Sequence, residues 1–238
     1  MVGALEWDVY KESVLMSSAY LDDVAQAFRE AADAFGEIVV RPEVGRFWDQ
    51  PSALEGYSVG AIVGHVNAGI GWLGPLLDAP AQSDLRPSSR DDLLRFFHGL
   101  KLDLGEAERD PIHDVLRDKF ERAAGHGWES NRDKFLGLAE RLTSRLEGES
   151  AERLLDLRPF EPLILRLGDF LPTRILELVV HGDDLATSVG IDAPLPENAA
   201  TVAIDLMMAV ARTGHGDLAV VRALARRERA DSSVFPVF

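Results

Sequence analysis

Apolar residues recur along this chain at spacings of three and four, the period of one face of a helix. Tyr10, Val14, Ser17, Leu21, Val24, Phe28, Ala31 and Phe35 make the first such stripe, which predicts a long helix ended by Gly36. The stretch Arg41-Pro42-Glu43-Val44-Gly45 reads as a loop, since proline and glycine disfavour continued helix. Ser58 is placed to cap a second helix, whose stripe is Val59, Ile62, Val63, Val66, Ile70, Leu73 and Leu77, with Pro75 expected to kink or end it. A loop is expected over 78–89 and a short amphipathic piece over 90–104. The region 111–148 is helical in composition but broken by Gly125-His126-Gly127; in its second half, from Asn131, Phe135, Leu138, Leu142 and Leu146 share a face. After a link containing Pro159 and Pro162, Pro172 sits at a helix start, and that helix should run to Val189 with Gly190 closing it. Helices over 197–212 and 217–227 and an apolar tail, Val234 to Phe238, complete the chain.

No strand alternation and no internal repeat stand out, so the pattern predicts an all-α bundle with additional short C-terminal helices. Residues 1–190 are expected to form the main helical domain, and 191–238 an extension packed on it.

Charge and composition narrow the partners. A formal net charge of −15 opposes nucleic-acid binding, which needs a cationic surface. The cluster Arg222, Arg226, Arg227 and Arg229 is diluted by Glu228 and reads as a solvated helix end. No apolar run reaches membrane-spanning length, and the acidic start does not resemble a signal peptide, so a cytoplasmic protein without a membrane partner is expected. The chain has no cysteine, which excludes disulfides, thiolate metal ligands and a cysteine nucleophile.

The chemistry concentrates in one helix. Arg174, Glu177, His181, Asp184 and Ser188 fall on a single line, flanked by Leu176, Leu178, Val179, Val180 and Leu185. A polar line bordered by large apolar residues is expected to face inward, where charge must be paired or bound to metal. Glu177 and His181, four apart, can chelate one ion. Equally, they can make an ordinary hydrogen bond, with Arg174 in an internal ion pair with Glu177 or Asp184. His65 lies in the otherwise apolar second helix. Its small neighbours Gly64, Ala68 and Gly69 would let a helix or ligand approach. A histidine, a glutamate and a histidine from two helices leave coordination positions open, as reactive rather than structural sites do. Of the other histidines, His98 reads as half-buried packing, His113 as solvated, and His126 and His215, each between glycines, as loop residues.

Two segments carry a family resemblance. Trp48-Asp49-Gln50-Pro51-Ser52-Ala53-Leu54-Glu55-Gly56-Tyr57-Ser58-Val59, followed by His65, resembles the signature entering the second helix of the mycothiol-dependent maleylpyruvate isomerase family, within the DinB-like four-helix metalloproteins. Arg174, Glu177, His181, Asp184 and Leu185 resemble that family's second signature, and the end of the chain, from Leu224 to Phe238, resembles the tail of its shorter members. The resemblance implies a DinB-like four-helix bundle, with His65, Glu177 and His181 as ligands to a divalent metal, zinc, and mycothiol as thiol co-substrate. Tyr57 stands where the family more often has tryptophan. The segment between His65 and Glu177 is longer than usual, with 103–127 as the extra piece. The chain is also shorter than the isomerases with their complete second domain, which turns expectation away from maleylpyruvate isomerisation itself.

The expected activity is metal-dependent activation of a low-molecular-weight thiol, for S-transfer or thiol-assisted isomerisation of a small electrophile. A thiol of pKa near 8.5 becomes mostly anionic at neutral pH beside a divalent cation. Asp184 and Arg174 are the candidate catalytic residues: Asp184 to orient His181 or His65, Arg174 to pair with Asp184 or hold a substrate carboxylate. A metal-dependent hydrolase and a non-catalytic metal- or ligand-binding protein are the alternatives. The partners expected are small molecules, and the chain is a monomer or homodimer.

Overall fold

The computed structural model describes residues 18–80, 85–99, 111–158 and 162–235. In chain order its elements are α1 (Ser18–Val39), α2 (Pro42–Arg46), α3 (Val59–Gly71), α4 (Leu73–Asp78), α5 (Arg90–Gly99), α6 (Pro111–Ala124), α7 (Trp128–Leu146), β1 (Leu154–Asp156), β2 (Ile164–Arg166), α8 (Leu167–Val189), α9 (Glu197–His215) and α10 (Asp217–Ala225). Helices α1 and α3 each pack against both α7 and α8, so these four close a ring around the core. The first apolar stripe fills that ring: Leu21, Val24, Phe28, Ala31 and Phe35 are all buried. Phe35 meets Phe135 of α7 with ring centroids 4.7 Å apart. Truncating either aromatic would cost about 3–5 kcal/mol. Tyr10, Val14 and Ser17 of the same stripe lie outside the described residues.

Two layers flank the ring. Helix α6 lies across α3, while α9 packs on α8, α1 and α5 and is followed by α10. Ser58 caps α3 as expected, accepting from the amide of Ala61 at 3.0 Å. Its own amide and hydroxyl donate to the two carboxylate oxygens of Glu121 at 2.9 and 2.8 Å, which fastens α6 to the start of α3. Trp48 donates from Nε1 to the carbonyl of Ala124 at 3.0 Å, securing the other end of α6. By length and composition Val59–Asp78 would suffice to cross a membrane, yet it is broken at Trp72 and more than half of it is buried among its neighbours. Its hydropathy is that of a core helix.

Several element boundaries differ from the pattern-based expectation. Helix α1 runs past Gly36 to Val39, because Ile38 and Val39 are buried and continue the core face. The expected loop at 41–45 is the short helix α2, with Pro42 at its first position and Val44 fully buried. The second helix breaks at Trp72 rather than at Pro75; Pro75 sits in the first turn of α4, where a missing N–H costs nothing. Helix α7 begins at Trp128, three residues before Asn131. Helix α8 begins at Leu167 and carries Pro172 inside it. Its first amides are taken up from outside the helix, Leu167 donating to the Arg153 carbonyl at 2.8 Å and Gly168 to that of Ala151 at 3.0 Å. Burial of Leu167, Phe170 and Leu171 offsets the hydrogen bond that Pro172 cannot make. Gly190 does close α8, in the left-handed conformation at φ 72°.

Among the described residues the fold is all-α apart from one antiparallel ribbon, β1 against β2, with Leu155 opposite Leu165. Each strand has three residues and buries only its central leucine, too short a pattern to register as alternation in the sequence. The link at 159–161 and the end of the apolar tail at 236–238 lie outside the described residues.

Candidate metal centre

The polar line on α8 does turn inward, and each of its members has a distinct partner. Glu177 and His181, one turn apart, approach with Oε2 and Nε2 at 3.3 Å. A turn further on, the Nδ1–H of His181 faces Oδ2 of Asp184 at 2.9 Å. Ser188 closes the line: its hydroxyl donates to the Asp184 carbonyl at 2.5 Å and accepts from the amide of Ala53 at 2.8 Å. The loop before α3 is thereby tied to α8 beside the histidine.

Arg174 lies at the other end. It donates from Nε to Thr173 Oγ1 at 3.1 Å and from Nη1 to the Gly69 carbonyl at 3.3 Å, and its guanidinium covers the Phe170 ring at 4.9 Å. The expected alternative of an Arg174–Asp184 ion pair is not what forms. Ten residues of helix separate the two by about 15 Å along the axis, and Asp184 is engaged by His181.

Helix α3 brings His65 to this line from across the bundle. His65 Nε2 stands 2.7 Å from Glu177 Oε2, and its ring meets that of His181 edge to face with centroids 4.6 Å apart. The small residues around it act as close-approach points. A Cβ on Gly64 would stand 2.9 Å from the Phe120 carbonyl oxygen, and one on Gly69 would stand 3.2 Å from Arg174 Nη1. Gly64 therefore admits α6 and Gly69 admits Arg174. With α6 this close, Phe120 reaches the His65 ring, again edge to face at 4.6 Å.

One donor atom from each of His65, Glu177 and His181 lies within 4.8 Å of the others. Their side chains keep 30%, 23% and 15% of their surface exposed, so the cluster sits in the bundle with one side reachable from solvent. Burial alone would raise the Glu177 carboxyl. Hydrogen bonds from His181 and His65, aided by the charges of His65 and Arg174, instead hold it well below the usual carboxylate range. Burial would likewise lower His181, but hydrogen bonds to Asp184 and Glu177 and their negative charges raise it to about 9. Two imidazole nitrogens and an ionised carboxylate converging on one point, with a proton held in the place of a cation, are a donor set that fits a divalent metal ion.

Of the remaining histidines, none whose side chain is described joins this cluster. His98 on α5 and His215 at the end of α9 face each other with ring centroids 5.2 Å apart, so His215 is a packed helix-end residue rather than part of a loop. His126 is exposed in the turn between α6 and α7. The side chain of His113 lies outside the described residues. The segment 103–127 is described from residue 111 onward, and there it is α6 and its turn, built against α3 rather than draped over it. Phe120 and Glu121 were not legible as site neighbours, because nothing in an amphipathic repeat says which helix it will meet.

A ring of four helices with two imidazoles and a carboxylate meeting between two of them is consistent with a DinB-like bundle, and the three donors could hold a metal ion. The sequence profile of the mycothiol maleylpyruvate isomerase N-terminal domain matches residues 28–186, and the chain belongs to that family. Comparison with curated proteins and comparison with solved structures each gave no match.

Proposed function

We propose that the protein is a metal-dependent enzyme that activates a low-molecular-weight thiol, mycothiol, for S-transfer to a small electrophile or its thiol-assisted isomerisation. The observation that carries this reading is the convergence of His65, Glu177 and His181 in a chain of a mycothiol-related family. These three residues would hold the ion, zinc in this reading, and when bound it would supply the positive charge that favours thiolate over thiol at neutral pH. The chain has no cysteine, so the sulfur comes from the co-substrate.

The chain's own groups have separable tasks. Asp184 keeps the Nδ1 proton on His181 and so turns its Nε2 lone pair toward the cluster. Glu177 remains ionised and supplies the negative ligand. Arg174, fixed by Gly69, Thr173 and Phe170, offers a positive charge one turn from Glu177 for an anionic group of the thiol or the electrophile. Ile62 and Val66 on α3 and Ile175 and Leu178 on α8, close in sequence to His65 and Glu177, are buried, and low-dielectric surroundings strengthen such electrostatic effects. The reading places the reaction in a reducing cytoplasm, where such a thiol stays reduced.

The test is the rate at which metal-loaded protein consumes a chromogenic aryl halide or an electrophilic alkene. Mycothiol should accelerate it far more than an equal concentration of glutathione. The Glu177→Ala and His181→Ala proteins should be inactive, and raising the pH to ionise free thiol should not rescue them. Metal-dependent ester or amide hydrolysis without thiol use would replace this reading with a hydrolase. Tight metal binding with no turnover of either kind would replace it with a binding protein.

A further inference from the structure

The two histidines of the site are oriented by different means. His181 has Asp184 on its Nδ1. Among the described residues the His65 side chain makes one hydrogen bond, to Glu177, so no carboxylate or carbonyl on its other nitrogen fixes the ring. What contacts it instead is Phe120 of α6, 6% exposed, edge to face at a centroid distance of 4.6 Å and an interplanar angle of 82°. The His181 ring meets it at the same distance and angle.

We infer that Phe120 is a positioning residue for His65, holding its imidazole with Nε2 toward Glu177 in place of a hydrogen-bonding partner. The inference rests on the metal-site reading above. Three features of the fold support it. Gly64, adjacent to His65, lets the α6 backbone approach α3 to a distance that any Cβ would obstruct, which is what brings Phe120 within reach. Glu121, adjacent to Phe120, is bonded through both carboxylate oxygens to Ser58, so α6 is held in register with α3. Trp48 fixes the end of α6 through the Ala124 carbonyl. A perpendicular ring contact in the 4.5–7 Å range is directional, unlike aliphatic packing, so it restricts rotation of the imidazole about its bond to Cβ.

The test uses cobalt(II) as probe on the full chain, with affinity measured by chelator competition and geometry by visible absorption. Phe120→Leu fills most of the vacated space without a ring, and Leu142→Ala opens a cavity in α7 as a control for general destabilisation. Phe120→Leu should weaken cobalt binding about tenfold, as loss of a ligand's orienting partner does. It should also change the visible bands, while metal-free thermal stability stays near that of the parent. Leu142→Ala should lower stability and leave affinity and bands unchanged. Unchanged affinity and bands in Phe120→Leu would overturn the inference while leaving the metal site standing. Equal loss of affinity in both variants would overturn it too, by reducing Phe120 to packing. If the parent chain itself takes up no cobalt, the metal-site reading falls and this inference with it.

Discussion

Asp184 Oδ2 lies 2.9 Å from His181 Nδ1, three residues apart on α8, and this contact determines which nitrogen of His181 is free to face Glu177 and His65. The carboxylate fixes the tautomer, the ring direction and the basicity of the imidazole together. Replacing it by an asparagine amide keeps the size but removes the charge. The Asp184→Asn protein should therefore bind zinc about 10–100-fold more weakly, measured by competition with a chromogenic chelator, while keeping its helical circular dichroism. Parental affinity in that variant would remove Asp184 from the site.

Each of the three converging residues should be needed for tight retention. His65→Ala, Glu177→Ala and His181→Ala should each purify with far less than one divalent ion per chain, whereas His126→Ala and His98→Ala should not. Elemental analysis of protein made without chelator or histidine tag reads this directly. Full metal content in His65→Ala would reduce the site to the two residues of α8.

Removing the ion should weaken the fold without abolishing it. The ring of α1, α3, α7 and α8 has its own apolar core, but an empty site keeps Glu177 charged at a largely buried position, with histidine protons and the charge of Arg174 as its compensation. With that compensation in place, chelation should lower the melting temperature only in part and leave the far-ultraviolet spectrum helical. Complete unfolding on chelation would instead mark a structural metal.

The raised His181 value gives a pH signature in the ion-free protein. Its folded pKa of about 9 exceeds the ordinary imidazole value of about 6.5, so the stabilisation from its proton is fully present below about 6.5 and is lost as pH rises through 9. An ion must displace that proton. Binding at neutral pH should therefore release about one proton, and affinity should climb with pH until it levels off near 9. Calorimetry in two buffers of different ionisation heat measures the release. Binding heats independent of buffer would contradict it. In Asp184→Asn the levelling point should move down.

The long helices were legible because a bundle helix repeats its apolar face for many turns, as Leu21 through Phe35 do. Ends with their own capping residue, Ser58 before α3 and Gly190 after α8, were legible too; the others were not, because they depend on what the next residues find to pack against. Ile38 and Val39 find the core and carry α1 past a glycine; Leu167 and Phe170 do the same for α8 ahead of Pro172. The α8 half of the site could be read from spacing alone, since Glu177, His181 and Asp184 are neighbours on any helix. His65 could be nominated from its small neighbours Gly64, Ala68 and Gly69, and the family resemblance then implied it as a ligand; a histidine in an apolar helix carries no other mark of what it faces. Phe120 could not be found by either route: its role arises only where Gly64 lets two helices meet.

The division of the donors between α8 and α3 also implies an order of assembly. Glu177, His181 and Asp184 become neighbours as soon as α8 winds, an event of about a microsecond. His65 is 112 residues away from Glu177 and arrives only after a long loop has closed. In the proposed metal-site reading, an ion would therefore be caught early and loosely by the two α8 donors, then locked when α3 docks. Release would run the same route backward, so slippage of α3 away from α8 should govern how long the ion stays, even though two of the three donors lie on the other helix.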